Sequence, residues 1–318
     1  MNQQEMMRAY RLMRLARGFE SRVAEQDTKG RIGGFCHLYS GEEAVAVGAM
    51  WHLRPDDYAV GSYRDHAYYL VRGGDPKRCM AELFGHQDGC CKGRGGSMHL
   101  FDRSINFLGG YAIVAGECPI AVGLGMAARY RREDRVVLCF FGDGATNQGV
   151  YHESLNMAAL YRLPIVWVCE NNFYAIGTSV LRSSAEASMA KKAAAYKMPN
   201  WTVDGMDFFR MQSAAERAIA HARAGKGPAF IEARCYRYRG HSMSDAATYR
   251  SKEEVAFWKE RDPIPRLQAQ IQHDFGVGDE AFGAIDAEVR RQLDEAVAFA
   301  EAGRELPRER LLDDVYAD

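Results

Sequence analysis

The residues best suited to chemistry are an aspartate in the turn Gly142-Asp143-Gly144 and, one helix and one strand later, the pair Asn171-Asn172. A hard divalent cation such as Mg2+ takes oxygen ligands in an octahedron, and it is usually held by one or two carboxylates together with phosphate oxygens. Asp143 offers the charge for such a site and the Asn172 amide oxygen a neutral ligand. Gly142 and Gly144 let the backbone come close to a diphosphate. A GDG turn alone is common in loops between strand and helix. GDG followed by NN, with a helix and a strand between them, is a specific signal.

Two buried strands must carry these groups. Residues 136–141 (VVLCFF) are a continuous apolar run, β-branched and aromatic, as expected of a parallel strand covered on both faces. A helical pattern follows, with Val150, Leu155, Ala158, Ala159 and Leu160 apolar at three- and four-residue steps. Pro164 ends it, and residues 165–169 form a second apolar run that closes on the asparagines. The unit reads as β-α-β with a right-handed crossover. That places Asp143 and Asn172 at one carboxyl edge of neighbouring strands, where open α/β sheets bind ligands. The helix is expected to start near Ala145 and to point its free N–H groups and positive dipole end at the anion.

Composition bounds the alternatives. With 318 residues and 47% hydrophobic content, the chain can bury a sizeable core as one large domain or two small ones. Lys and Arg number 41 against 42 Asp and Glu, a net charge of −1 that argues against a nucleic-acid or membrane-surface role. No run of about 18 apolar residues occurs, so no membrane-spanning helix is expected. Residues 1–20 carry no signal-peptide core and read as mature sequence. The eight cysteines include no CxxC pair, and Cys139 and Cys169 sit inside the apolar runs as small buried side chains. Adjacent Cys90-Cys91 makes no tetrahedral zinc site unaided, so reduced thiols in a cytoplasmic setting are expected.

Along the rest of the chain, residues 5–30 read as one long helix and 42–53 as a second. Residues 58–63 read as a strand ending at Tyr63-Arg64, and 76–84 as a helix. Residues 85–100 are rich in Gly, Lys and Arg but lack the GK[ST] ending of a nucleotide P-loop. Gly123 to Ala128 fits GxGxxA, yet it lies in a helix preceding a strand, so a dinucleotide fingerprint is set aside. Residues 183–197 are expected to be helical, 198–204 to lead into a strand, 214–224 to be a helix and 229–235 a buried strand. Residues 236–250, YRYRGHSMSDAATYR, form a basic and aromatic loop. Balanced overall charge disfavours an RNA-contacting role for it. Residues 252–318 are charged and helical in pattern, broken at Asp262-Pro263 and Leu306-Pro307.

The segments GFCHLYSGEEA, GSYRDH, ELFGHQDGCCKGRGGSMHL, NFLGGYAIVAGECP, FFGDGATNQG, CENNFYAIGTS and YRYRGHSMSDAATYR follow one another from about Gly34 to Arg250. In that order they resemble the alpha subunit of the thiamine-diphosphate-dependent 2-oxo acid dehydrogenases. The pyruvate type is the most similar, and acetoin dehydrogenase alpha subunits are close to it. The resemblance implies an α/β, thiamine diphosphate-binding fold: a mostly parallel central sheet, helices on both faces and a helical C-terminal extension. It implies a single domain over 1–318, with an N-terminal helix at 1–30 and a helical layer at 252–318 that joins a subunit interface.

The same resemblance implies thiamine diphosphate and Mg2+ as cofactors. Asp143, Asn172 and the Tyr174 carbonyl would hold the metal. Tyr63, Arg64, Gly144, Ala145 and His241 would meet the cofactor, Arg64 through a fork of donors suited to phosphate. The backbone at Ala112 and Val114 would also touch it. Ala112 stands where the family usually has glycine, so the contact requires torsion angles that an L-residue accepts. His37 and His241 would be catalytic. Taken alone, a lone His reads as a packed core residue; in the family His37 lines the 2-oxo acid pocket, as a cation or a donor for the substrate carboxylate. Loop 85–100 would be a structured turn without a direct catalytic role, and loop 236–250 would close over the cofactor. Ser242 aligns with a serine that some members phosphorylate, and roughly −1.5 to −2 charges there would repel a diphosphate. Ala246 replaces a common proline, which would leave the loop less stiff.

Partners follow by the same route: a beta subunit in an α2β2 heterotetramer, the lipoyl domain of a dihydrolipoyl acyltransferase, and pyruvate as substrate. Acetoin or a branched-chain 2-oxo acid is the alternative substrate. A non-catalytic subunit that only holds cofactor is the alternative of another class.

Overall fold

The computed structural model describes residues 1–316. Six strands form one sheet: β1 (Tyr58–Ser62), β2 (Phe107–Tyr111), β3 (Val137–Gly142), β4 (Ile165–Asn171), β7 (Asn200–Asp204) and β8 (Ala229–Arg234). Their order is β2-β1-β3-β4-β8-β7 and every neighbouring pair is parallel. A small antiparallel hairpin, β5 (Tyr174–Ala175) and β6 (Thr178–Ser179), follows directly on β4. From β1 the chain passes outward to β2 on one side, then returns to β3 on the other. At such a reversal the crossovers diverge and leave a crevice beyond the carboxyl ends of the two strands.

The central strands are apolar on both sides because both sides are covered. Val137, Cys139 and Phe141, with Ile165, Trp167 and Cys169, pack under α5 (Glu117–Tyr130), α6 (Gly149–Leu160) and α8 (Met189–Ala194). Leu138, Phe140, Val166 and Val168 face α1 (Gln3–Thr28), α2 (Glu43–Met50), α3 (His66–Val71), α4 (Pro76–Leu83) and α9 (Phe208–Arg223). This is the period-two alternation of a strand, each fully buried large side chain contributing about 1.5–3 kcal/mol. An outer layer, α11 (Pro263–Phe275) and α12 (Asp279–Glu301), seals α1 and α2 through Met6, Tyr10, Ile264, Leu267, Ile271 and Phe282. The short α7 (Val180–Ser183) and α10 (Lys252–Lys259) flank the hairpin and the loop that follows β8.

Several expectations are corrected. No α-helix begins near Ala145: Asp143–Asn147 is a 3-10 turn and α6 starts at Gly149. The turn is tight because Gly144 lies against the hairpin, where an added Cβ would sit 2.6 Å from that of Ala175. Residues 183–197 are not one helix. α7 ends at Ser183, and the only further helix in the run is α8, which Ser188 caps by accepting from the Lys191 N–H. Helix α3 and strand β2 were not anticipated. The C-terminal layer is helical as expected, with residues 317 and 318 outside the described part.

Candidate active site

A cavity of about 590 Å³ opens at the carboxyl ends of β1, β2, β3 and β4. All eleven residues singled out from the sequence line it: His37, Tyr63, Arg64, Ala112, Val114, Asp143, Gly144, Ala145, Asn172, Tyr174 and His241. Tyr63 and Arg64 follow β1, Ala112 and Val114 follow β2, Asp143 follows β3 and Asn172 follows β4. The register Gly142↔Glu170 brings the last two strand ends side by side.

Asp143 and Asn172 are both buried. Burial pushes the Asp143 carboxyl up to about 7, against the backbone N–H groups of its own residue and of Asn172. The Asn172 side chain donates through Nδ2 to Glu42 Oε1 at 3.0 Å. A carboxylate can only accept, so Glu42 fixes which end of the amide it holds. Asn172 Oδ1 is thereby left buried with no partner among the described residues. Glu170, two residues earlier on β4, is buried too and receives the hydroxyls of Tyr39 and Tyr68. Burial and the nearby Glu42 raise it to about 8.

Arg64 donates to the carbonyls of Leu38 at 2.7 Å and His241 at 3.0 Å, with Glu42 Oε2 3.7 Å from its Nε. It ties the loop after α1 to the loop after β8. His37 packs against Tyr63 and His241, with ring centroids 4.5 and 5.0 Å apart. Burial, then the positive charge of Arg64, lowers both histidines to about 3, so both are neutral near pH 7. Among the described residues, Nδ1 of each is buried without a partner. Of the two roles expected for His37, cation or donor, the neutral ring retains that of a donor.

Loop 236–250 is tied down without a proline at 246. Tyr238 and Met243 donate backbone N–H groups to Ser40 O and Cys36 O, both at 2.9 Å. Asp245 accepts from the N–H of His241 and of Ala247 and from the Tyr249 hydroxyl. Arg250 donates to the carbonyls of Arg237, Tyr238 and Arg239. These ties replace the stiffness expected of the missing ring.

A sequence profile described as "Dehydrogenase E1 component" matches residues 10–309. The pyruvate dehydrogenase E1 component subunit alpha of Rhizobium meliloti is 44% identical over 310 residues, 97% of this chain and 89% of that protein. The subunit of the same name from Zymomonas mobilis is 44% identical over 302 residues, 94% of this chain and 85% of its own. The chloroplastic subunit alpha-3 of Arabidopsis thaliana is 41% identical over 321 residues, 99% and 75% of the two chains. The chain belongs to the dehydrogenase E1 component family.

Within this member of the E1 family, three ionisable residues of the cavity wall were missed by sequence reasoning: Glu117, Glu170 and Arg237. Arg237 is buried and donates to the Tyr174 carbonyl at 3.4 Å, the Ile176 carbonyl at 3.2 Å and the Tyr249 hydroxyl at 2.8 Å. Its position just past β8 was a usable signal, since that strand ends at the same edge. Glu117, the first residue of α5, has no exposed surface and lines the cavity.

The glycine-rich loop also reaches the site, through Met98. It is wrapped around one carboxylate. Glu82 accepts from the N–H groups of Cys91 at 2.7 Å, Gly93 at 2.9 Å, Gly95 at 2.7 Å and Gly96 at 3.1 Å. Gly93 and Gly96 take positive φ (76° and 63°) to aim those groups inward. Ser97 is pinned to His66 Nε2 at 2.9 Å, and His66 Nδ1 to Glu20 at 3.0 Å. All three are buried, so this serine–histidine–glutamate row is scaffolding.

Proposed function

We propose that this chain is the alpha subunit of a pyruvate dehydrogenase E1 component, working with a beta subunit in an α2β2 assembly. The reaction is oxidative decarboxylation of pyruvate, with the acetyl group passed to a lipoyl domain of a dihydrolipoyl acyltransferase. The observation that carries the reading is the unpartnered, buried Asn172 Oδ1 beside Asp143, at the edge where β3 and β4 end. A buried amide oxygen without a donor is costly unless a ligand completes it.

The residues fit a metal diphosphate. Asp143, Asn172 Oδ1 and the Tyr174 carbonyl are oxygen donors of the kind Mg2+ takes. Tyr63, Arg64, Gly144, Ala145 and His241 would meet the diphosphate, and the backbone at Ala112 and Val114 the rest of thiamine diphosphate. The chemistry supplied by bound thiamine diphosphate is a nucleophilic carbon and an electron sink for decarboxylation. His37 and His241 are the catalytic histidines. Neutral near pH 7, each can donate from one ring nitrogen and accept at the other, which suits holding a carboxylate or a transferable proton. An arriving anion would raise both toward the ordinary value. Arg64 and Arg237 hold the loops that cover the site, which limits water around the reacting atoms.

The partner reading is supported by apolar surface beside the cavity. Ile113, Val114, Ile120, Met126 and Tyr130 are exposed along and before α5. In the resembling family the beta subunit brings the glutamate that activates the cofactor. One six-stranded sheet covered by helices on both faces supports one domain. Eight unpaired cysteines support a cytoplasmic setting, and among the described residues no helix is long and apolar enough to cross a membrane.

The test is reconstitution. With its beta subunit, thiamine diphosphate and Mg2+, the chain should reduce a dye in the presence of pyruvate, faster than with branched-chain 2-oxo acids or acetoin, and should be inactive alone. Turnover by the isolated chain would overturn the shared-site reading. Preference for a branched-chain acid would overturn the substrate.

A further inference from the structure

Glu117 is a carboxylate with nothing to hold it. It opens α5, its side chain has no exposed surface, and among the described residues neither oxygen has a hydrogen-bond partner. The titratable groups that feel its charge are Tyr63 after β1, Tyr111 on β2, Cys139 on β3 and its neighbour Cys118. None is a cation. Arg64 and Arg237 line the same cavity, but the hydrogen bonds they donate go to carbonyls and to Tyr249, and none reaches Glu117. With no cation at hand, burial raises it to about 8, so it is mostly protonated near pH 7.

The cavity is therefore polarised. Asp143, Asn172, Arg64 and Arg237 make an end suited to a metal-bound anion. Glu117, close in sequence to Ala112 and Val114 and lining the same cavity, is held neutral; once ionised it can only accept, and it favours a donor or a positive group over an anion. A ligand that is anionic at one end and carries donors or positive charge at the other satisfies both.

We propose that Glu117 is a positioning residue for the cofactor: its carboxylate receives a donor of the amino-bearing heterocyclic end of thiamine diphosphate, and gives its proton to solvent as the cofactor seats. This rests on the cofactor reading above. Glu117 acts through orientation, so its removal should loosen binding and change the proton count.

The experiment is calorimetry of thiamine diphosphate binding to the assembled α2β2 enzyme at pH 7 with saturating Mg2+, in two buffers of different ionisation enthalpy. Wild type should release close to one proton per site more than Glu117→Gln, and Glu117→Gln should bind roughly tenfold more weakly. Glu117→Leu, of similar size and apolar, is the second variant if the first does not assemble, and the same loss is expected. Equal proton release in wild type and variant overturns the proposal. So does release that occurs when the subunits assemble without cofactor, since a partner side chain would then be what Glu117 meets. If wild type binds no cofactor at all, the cofactor reading falls and Glu117 with it; if wild type binds and only the proton difference is missing, the cofactor reading stands.

Discussion

Glu82 and Glu117 are both glutamates with no exposed surface, yet they stand in opposite conditions. Glu82 accepts four backbone N–H groups, its oxygens filled two by two. Glu117 accepts from no partner among the described residues. Burial is equal, so the difference lies in what each group was placed to meet. A carboxylate ringed by its own chain's amides is a template for a loop. A carboxylate with open lone pairs at a cavity wall is half of an interaction. The same contrast separates the Ser97–His66–Glu20 row, closed on itself, from His37, His241 and Asn172, each with an orphan atom beside the cavity.

The comparison breaks most visibly if Glu82 proves dispensable. Glu82→Ala strands four inward-pointing N–H groups and should cost about 3–5 kcal/mol of folding stability, with loop 85–100 opened to protease. Urea denaturation and limited proteolysis read both effects. A loss under about 1 kcal/mol would mean the loop is held by its backbone alone.

A smaller effect sharpens the other half. Glu117 is raised in the folded chain, so the folded state holds a proton that the unfolded state releases. The stability this gives is complete below the unfolded value near 4.5 and is lost as pH rises through about 8. Asp143, raised to about 7, acts in the same direction. The isolated wild-type chain should therefore lose about 2–4 kcal/mol more than Glu117→Gln between pH 5 and pH 8. Parallel pH profiles for the two would show that Glu117 finds a partner in the folded chain.

Legibility in the sequence followed the same divide. Strands β3 and β4 are buried on both faces and carry unbroken apolar runs, so the edge carrying Asp143 and Asn172 could be placed from pattern alone. Strand β2, FLGGY, carries two glycines, and α3 has only six residues, so neither leaves a periodic trace. Arg237 was hidden in a run of similar basic and aromatic residues. Glu117 lies next to a stretch of small apolar residues that drew attention to helix packing, and its isolation depends on where three strands end. The turn after Asp143 reads as a helix start, and only the close approach of the hairpin at Ala175 makes it a 3-10 turn.

The most direct test of the central claim is the affinity of the assembled enzyme for thiamine diphosphate with and without Mg2+, measured calorimetrically for wild type and Asp143→Ala. Wild type should bind only with the metal, and Asp143→Ala should show no Mg2+-dependent binding. Unchanged affinity and unchanged metal dependence in Asp143→Ala would contradict the assignment of the β3–β4 edge as the place where the cofactor is held.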